Sequence, residues 1–334
     1  MNAIVKSPFA WLLKREYWEE RRGLLWSQVT VAGILIVLSI FGIIAAEVAR
    51  VRMGGDIHIV SGGDLSQALQ NAASHNSEGL AQAVGGMMWT FGLFAGVVLS
   101  FKLFFYLLGA LYEDRKDRSI LFWKSLPISD TATVLSKVVT AILVMPVIAV
   151  VVALAGFLGE MIVASIWFAA HGLNPFTLLW AHATPWASWL HMLATIPINA
   201  VWALPTIGWL LLWSAAVRGK PLLWAVMIPV VAGVLNSWIA LLGLPHVNIQ
   251  FFWSNLVARP LLSVIPGSWV TDYVAQQGGT INIQPGNISG IDAHLGSYAA
   301  MYHMFLTPNM WIGAAVGIAL IAAAIWFRRW RDEV

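Results

Sequence analysis

Six apolar runs, at about 24–49, 80–112, 133–170, 186–217, 222–244 and 310–326, take up most of this chain. A helix of about 20 apolar residues crosses a hydrocarbon core roughly 30 Å thick. Within that core the backbone must satisfy its own hydrogen bonds, so runs of this length fold as helices. The constraint predicts an all-α integral membrane protein with six transmembrane helices. Charged residues make up only 10% of the chain and hydrophobic ones 59%, whereas soluble domains carry about 25% charged residues. The first run begins near Leu24 behind a charged flank and is too long for a cleaved signal peptide, so it reads as a retained span.

Several runs exceed one straight crossing. The second, 33 residues if helical throughout, would be about 48 Å long and must tilt, kink or protrude. It contains Gly92 and Gly96, a G-x-x-x-G pair suited to close helix packing. The third run is expected to break near Gly156 and Gly159, and the fourth to kink at Pro197 and Pro205. Between runs five and six, residues 245–308 form a long external region. Its apolar stretch 249–264 is interrupted by Asn255, Arg259 and Pro260, which fits re-entrant or interfacial helices better than a span. Lys and Arg concentrate in 1–23, 113–130, 218–220 and 328–331, while the opposite side holds Arg50, Arg52 and Arg259. The positive-inside rule then places both termini in the cytoplasm.

Segment 113–130 is the one dense stretch of mixed charge that lies between two apolar runs. Such a segment sits in water while its neighbours sit in lipid. Asp114 and Arg118 are four residues apart and Glu113 and Lys116 three apart, spacings that favour a helix. Pro127 stops that helix, and Ser129 or Asp130 can cap the next. Ile120, Leu121, Trp123 and Leu126 leave an apolar edge on the charged segment. Two readings stay open from the residues alone: a docking element for a soluble partner, or a solvated turn. At the N-terminus, residues 14–22 with Phe9, Trp11, Leu12 and Leu13 form an amphipathic helix, either lying on the inner membrane surface or acting as a plain positive-inside anchor.

The pattern Glu113, Arg118-Ser119, Phe122-Trp123, Leu126-Pro127-Ile128-Ser129 and then Lys137 resembles the loop after the second span of type-2 ABC transporter permeases. The departures are the extra acids Asp114 and Asp117, and Phe122-Trp123 in place of smaller aliphatic residues. The resemblance implies that Glu113, Arg118, Ser119, Phe122, Trp123, Leu126 and Pro127 couple the spans to an ATPase. It also implies an N-terminal elbow helix carrying Arg15, Glu16 and Glu19. The implied partners are two cytoplasmic ABC ATPase subunits per complex, a second copy or a related permease, and membrane lipid. The implied function is the permease subunit of an exporter. Family substrates range over drugs, peptides, lipids, polysaccharides and ions.

Other chemistry finds little support in the residues. No Walker A motif is present, since Gly219-Lys220 lacks the upstream glycine and is followed by proline, so ATP and Mg would belong to a partner subunit and no cofactor to this chain. No H-E-x-x-H, two-His helical pair or G-x-S-x-G elbow occurs, and there is no cysteine. The net charge of +3 is scattered over span ends, which argues against nucleic acid. Lys102 and Glu160 lie inside apolar runs, where a charge at mid-bilayer costs about 2.5–3.5 kcal/mol. Counting along the helices brings both to the membrane interfaces; the alternative is that they face a transport pathway. A secondary transporter or channel is the second function class, and a membrane enzyme or sensor anchor the third. Paired broken helices in two repeated halves would mark the former, and none is visible. Tags at both ends should be inaccessible from outside intact cells; a C-terminal tag readable from outside would overturn the six-span topology.

Overall fold

The computed structural model describes residues 8–52, 77–117, 128–181, 185–276 and 298–330, and among these there is no strand. Five helices are long and apolar enough to cross a membrane, and a bent pair makes a sixth. The first, α1, is Pro8–Arg52. Its 45 residues extend about 67 Å, over twice the hydrocarbon thickness, so one end must project into water. The charged segment 14–22 is part of this same helix. The N-terminal amphipathic segment is therefore continuous with the span and not a separate element. Only Gly23 stands between them, and one glycine costs about 1 kcal/mol in a helix, too little to end it.

Helix α2 is Ser77–Gly109 and is followed by the short α3, Tyr112–Lys116. Helix α4, Asp130–Val139, starts at Ser129, whose hydroxyl accepts from the Ala132 amide at 3.1 Å. That hydroxyl satisfies one of the free amides of the first turn. A π-helical turn, Thr140–Val144, then leads into α5, Met145–Ala170. Pro146 explains the wide turn, because its ring cannot fit over the carbonyl four residues back in a regular helix. The break expected at Gly156 and Gly159 does not occur. Helix α5 runs through both, and the glycines serve close packing: a Cβ on Gly156 would crowd Phe91 and Ala32, and one on Gly159 would approach Ile36.

Helix α6, Pro185–Trp202, contains Pro197 without ending there. It meets α7, Leu204–Ala216, at a 53° bend. Pro205 sits in the first turn of α7, where its missing N–H costs nothing. Helix α8, Pro221–Leu241, follows a turn that places Lys220 in the left-handed region at φ 51°. Between α8 and the last helix lie Ile249–Phe251, a π turn Phe252–Ala258, Arg259–Leu262 and α9, Trp269–Gln276. The π turn again precedes a proline, Pro260. Helix α10 is Pro308–Trp330.

The described residues fall into two compact units. One draws on Gly23–Val98 and Val147–Leu193. Its core is Val84, Met88, Phe91, Phe157, Met161 and Met192 with their neighbours. Its polar groups are paired internally: Ser39 donates to Glu160 at 2.8 Å, and His171 lies 3.6 Å from Glu47.

The other unit draws on Met1–Arg22, Leu99–Pro146 and Ala194–Val334. Helices α7 and α10 pack along their length here. A Cβ on Gly317 would overlap the backbone of Leu204, and one on Gly208 would strike the Gly317 carbonyl. The segment before α9 docks on α7 through Thr206, whose hydroxyl donates to the Arg259 carbonyl at 2.7 Å and accepts from the Ser263 amide at 3.0 Å. The Arg259 guanidinium lies 4.2 Å from the Trp202 ring centroid and donates to the Asn309 carbonyl at 2.6 Å. Burial lowers its pKa from the usual arginine value, and the charge of Asp272 opposes that shift. Gly313 leaves room for this side chain.

Replacing Gly317 with Val should lower thermal stability in detergent, since overpacking a tight contact costs about 1–3 kcal/mol. Gly33→Ala, at a site with open space around it, should leave the melting temperature unchanged or raised. Equal melting curves for the parent and Gly317→Val would refute the close approach.

Candidate functional site

The charged segment that follows α2 is tied down from several helices. The amides of Leu111 and Tyr112 both donate to the hydroxyl of Ser214, at 2.9 and 3.0 Å. Arg115 donates through Nη2 to the carbonyls of Ser214 and Val217, at 2.5 and 3.0 Å. The last carbonyls of a helix lack partners within it and carry the negative end of its dipole. Arg115 therefore caps the end of α7 while anchoring α3.

Asp114 is buried and turned toward other helices. Arg328, near the end of α10, donates through Nη1 to Asp114 at 3.2 Å and through Nε to Asp130 at 3.0 Å. Lys137 of α4 lies 3.1 Å from Glu16 and 3.9 Å from Asp114. The Tyr106 hydroxyl donates to the other Glu16 oxygen at 2.8 Å. Arg15 lies 4.0 Å from Asp114 and donates to Glu19 at 2.7 Å. Thus the carboxylates of Glu16, Asp114 and Asp130 face the cations of Arg15, Lys137 and Arg328. The side chains of Glu16, Lys137 and Arg328 are 1%, 4% and 3% exposed. Burying one such charge without its partner costs several kcal/mol, so the members must be gathered together.

The sequence-expected residues are distributed unevenly over this arrangement. Glu113 lies on α3, exposed, with its carboxylate beside Gly109. Arg118, Ser119, Phe122, Trp123, Leu126 and Pro127 lie outside the described residues. Asp114 is bonded by Arg328, 214 positions away, and its expected pairing with Arg118 lies outside the described residues. Of the N-terminal set, Glu16 is buried against Lys137 and Tyr106, whereas Arg15 and Glu19 form a pair nearer the surface. Lys102 lies 3.4 Å from Glu20, both partly exposed. Glu160 is buried in the other unit beside Ser39. Sequence reasoning missed Arg328, Asp130, Tyr106 and Ser214 as members of one network. A signal existed in Lys137, a cation early in an apolar run that needs a counter-ion, but its spacing to Glu16 carries no information about contact.

Residues 83–199 match the family described as ABC-2 family transporter protein. The matched segment belongs to the type-2 ABC transporter permease family. No curated protein and no solved structure matches the chain. The match takes in most of α2, all of α3, α4 and α5, and much of α6, so Tyr106, Asp114, Asp130 and Lys137 lie within it. That match supports a permease component of an ABC transporter. With its apolar helices the chain is an integral membrane protein.

Lys137→Met should destabilise the protein by about 3–5 kcal/mol, because it strips the buried Glu16 of its cation. Adding Glu16→Gln should recover much of that loss. Thermal unfolding of both variants in detergent checks the pairing, and additive losses in the double variant would refute it.

Proposed function

We propose that the chain is the permease subunit of an ABC exporter in a bacterial cytoplasmic membrane. Two copies, or one copy with a related permease, pair with two cytoplasmic ATPase subunits. The observation that carries this reading is the family match over 83–199, which encloses the charged loop 113–130. Both termini and that loop face the cytoplasm, as the Lys and Arg distribution supports. The partner subunits bind ATP and Mg, and this chain binds no cofactor.

In this reading the ATPase contacts Glu113, Arg118, Ser119, Phe122, Trp123, Leu126 and Pro127. Apolar groups in an aqueous loop are best covered by a partner. Glu113 is exposed while its neighbours Asp114 and Arg115 are buried, so α3 offers one carboxylate outward and uses the other, with Arg115, for anchoring. Closure of the ATPases on ATP acts through contacts that differ between the two nucleotide states, since an equal contact shifts nothing. Substrate passes along the interface between the two permease copies. Counting along the helices supports an interfacial place for Lys102 and for Glu160, the first beside Glu20 and the second beside Ser39.

A tag on this chain should recover a nucleotide-binding subunit from membranes, while the chain purified alone should not hydrolyse ATP. Trp123→Ala removes an aromatic anchor, and such anchors contribute on the order of 2 kcal/mol or more. Its recovery of the ATPase should fall, and Glu113→Lys should act in the same direction with the spans still inserted. If both variants assemble and transport like the parent, the loop is a solvated turn.

A further inference from the structure

The loop between α3 and α4 is closed at its base by a residue distant in sequence. Asp114 precedes the loop and Asp130 follows it, and Arg328 of α10 donates to both, at 3.2 and 3.0 Å. One guanidinium thus holds the chain where it leaves and where it returns. The planar fork of arginine can serve two carboxylates at once, which the point charge of lysine does less well. Helix α10 does not act alone. Its backbone meets that of α7 at Gly208 and Gly317. Helix α7 grips the same loop base through Ser214 and Val217, which hold Leu111, Tyr112 and Arg115. Two helices in close contact therefore share one hold on the loop.

We propose that Arg328 is a positioning residue that ties the two ends of the charged segment, at Asp114 and Asp130, to the α7–α10 pair, so that this pair moves with those ends when an attached ATPase closes. The proposal rests on the reading of that loop as the ATPase contact. The effect runs from the loop through Asp114 and Asp130 to Arg328, and from there to the last helix and its partner. It adds a route besides the direct continuation of the loop into α2 and α4. Lys137 and Arg15 also face Asp114, at 3.9 and 4.0 Å. Loss of Arg328 therefore leaves Asp114 with cations nearby, and Arg328→Gln should loosen the tie without unfolding the helices.

The chain has no cysteine, so labels can be placed at will. Lys116→Cys and Arg329→Cys, both at exposed positions, carry spin labels on the loop base and on α10. Their separation is measured in the complex with its co-purifying ATPase, first without nucleotide and then after trapping with ATP and vanadate. In the otherwise unaltered chain the distribution should be narrow and the same in both states. In Arg328→Gln it should broaden and shift on trapping. Arg328→Lys and Asp130→Asn should fall between, and these variants carry the test if Arg328→Gln is not recovered. A separation that changes on trapping in the unaltered chain would overturn the proposal, because loop and helix would then move apart. So would variants whose distributions stay as narrow and as independent of nucleotide as the parent's. Failure of any ATPase to co-purify strikes the functional reading instead. The nucleotide-free distributions then still decide whether Arg328 holds the loop: broadening in Arg328→Gln supports it, and no broadening overturns it.

Discussion

A charge carried in among apolar helices has to meet its opposite there, and the arrangement around Glu16, Lys137, Asp114 and Arg328 follows from that necessity. Apolar packing is non-directional and tolerates many registers. A buried carboxylate tolerates few, because leaving it without a cation costs several kcal/mol. Lys137 is 4% exposed and reaches Glu16, which also accepts from Tyr106. Those contacts fix how α1, α2 and α4 align. Arg328 brings the end of α10 to the same place by bonding Asp114 and Asp130. Anions and cations thus face one another where water is scarce.

Small residues do the complementary work along the apolar lengths. Lipid tails are as apolar as leucine, so helices in a bilayer associate through close packing more than through water exclusion. Gly208 and Gly317 let α7 and α10 touch backbone to backbone. Gly156 admits Phe91 and Ala32 in the other unit. By contrast, none of the most apolar stretch of α1 is buried within the chain, so lipid or another subunit must cover it. Prolines shape the helices more gently than expected. Pro146 and Pro260 each follow a π turn that makes room for the ring, and Pro205 lies in a first turn where no N–H is missed.

Much of the helical layout was legible in the residues. Ser129 after Pro127 marked the start of α4, and Pro205 marked the bend between α6 and α7. These signals act locally, over one helical turn, and so can be read from neighbours in the chain. Gly156 and Gly159 misled for the same reason: seen locally they weaken a helix, but their purpose is contact with α1 and α2. The charged segment 14–22 looked separable because its composition changes abruptly at Leu24. The backbone ignores that change, since both compositions are helix-forming.

The sequence by itself determined that this is a helical membrane protein, how many apolar crossings it offers, and where its one charged loop lies. Those properties follow from the length of apolar runs against the thickness of a bilayer, a comparison that needs no partner in space. Only the tertiary structure decided which charges meet. The carboxylate of Asp114 is bonded by Arg328 across 214 positions, a pairing that no local spacing announces. The reason is that a buried carboxylate needs a cation, and only the packing of the helices decides which distant cation reaches it.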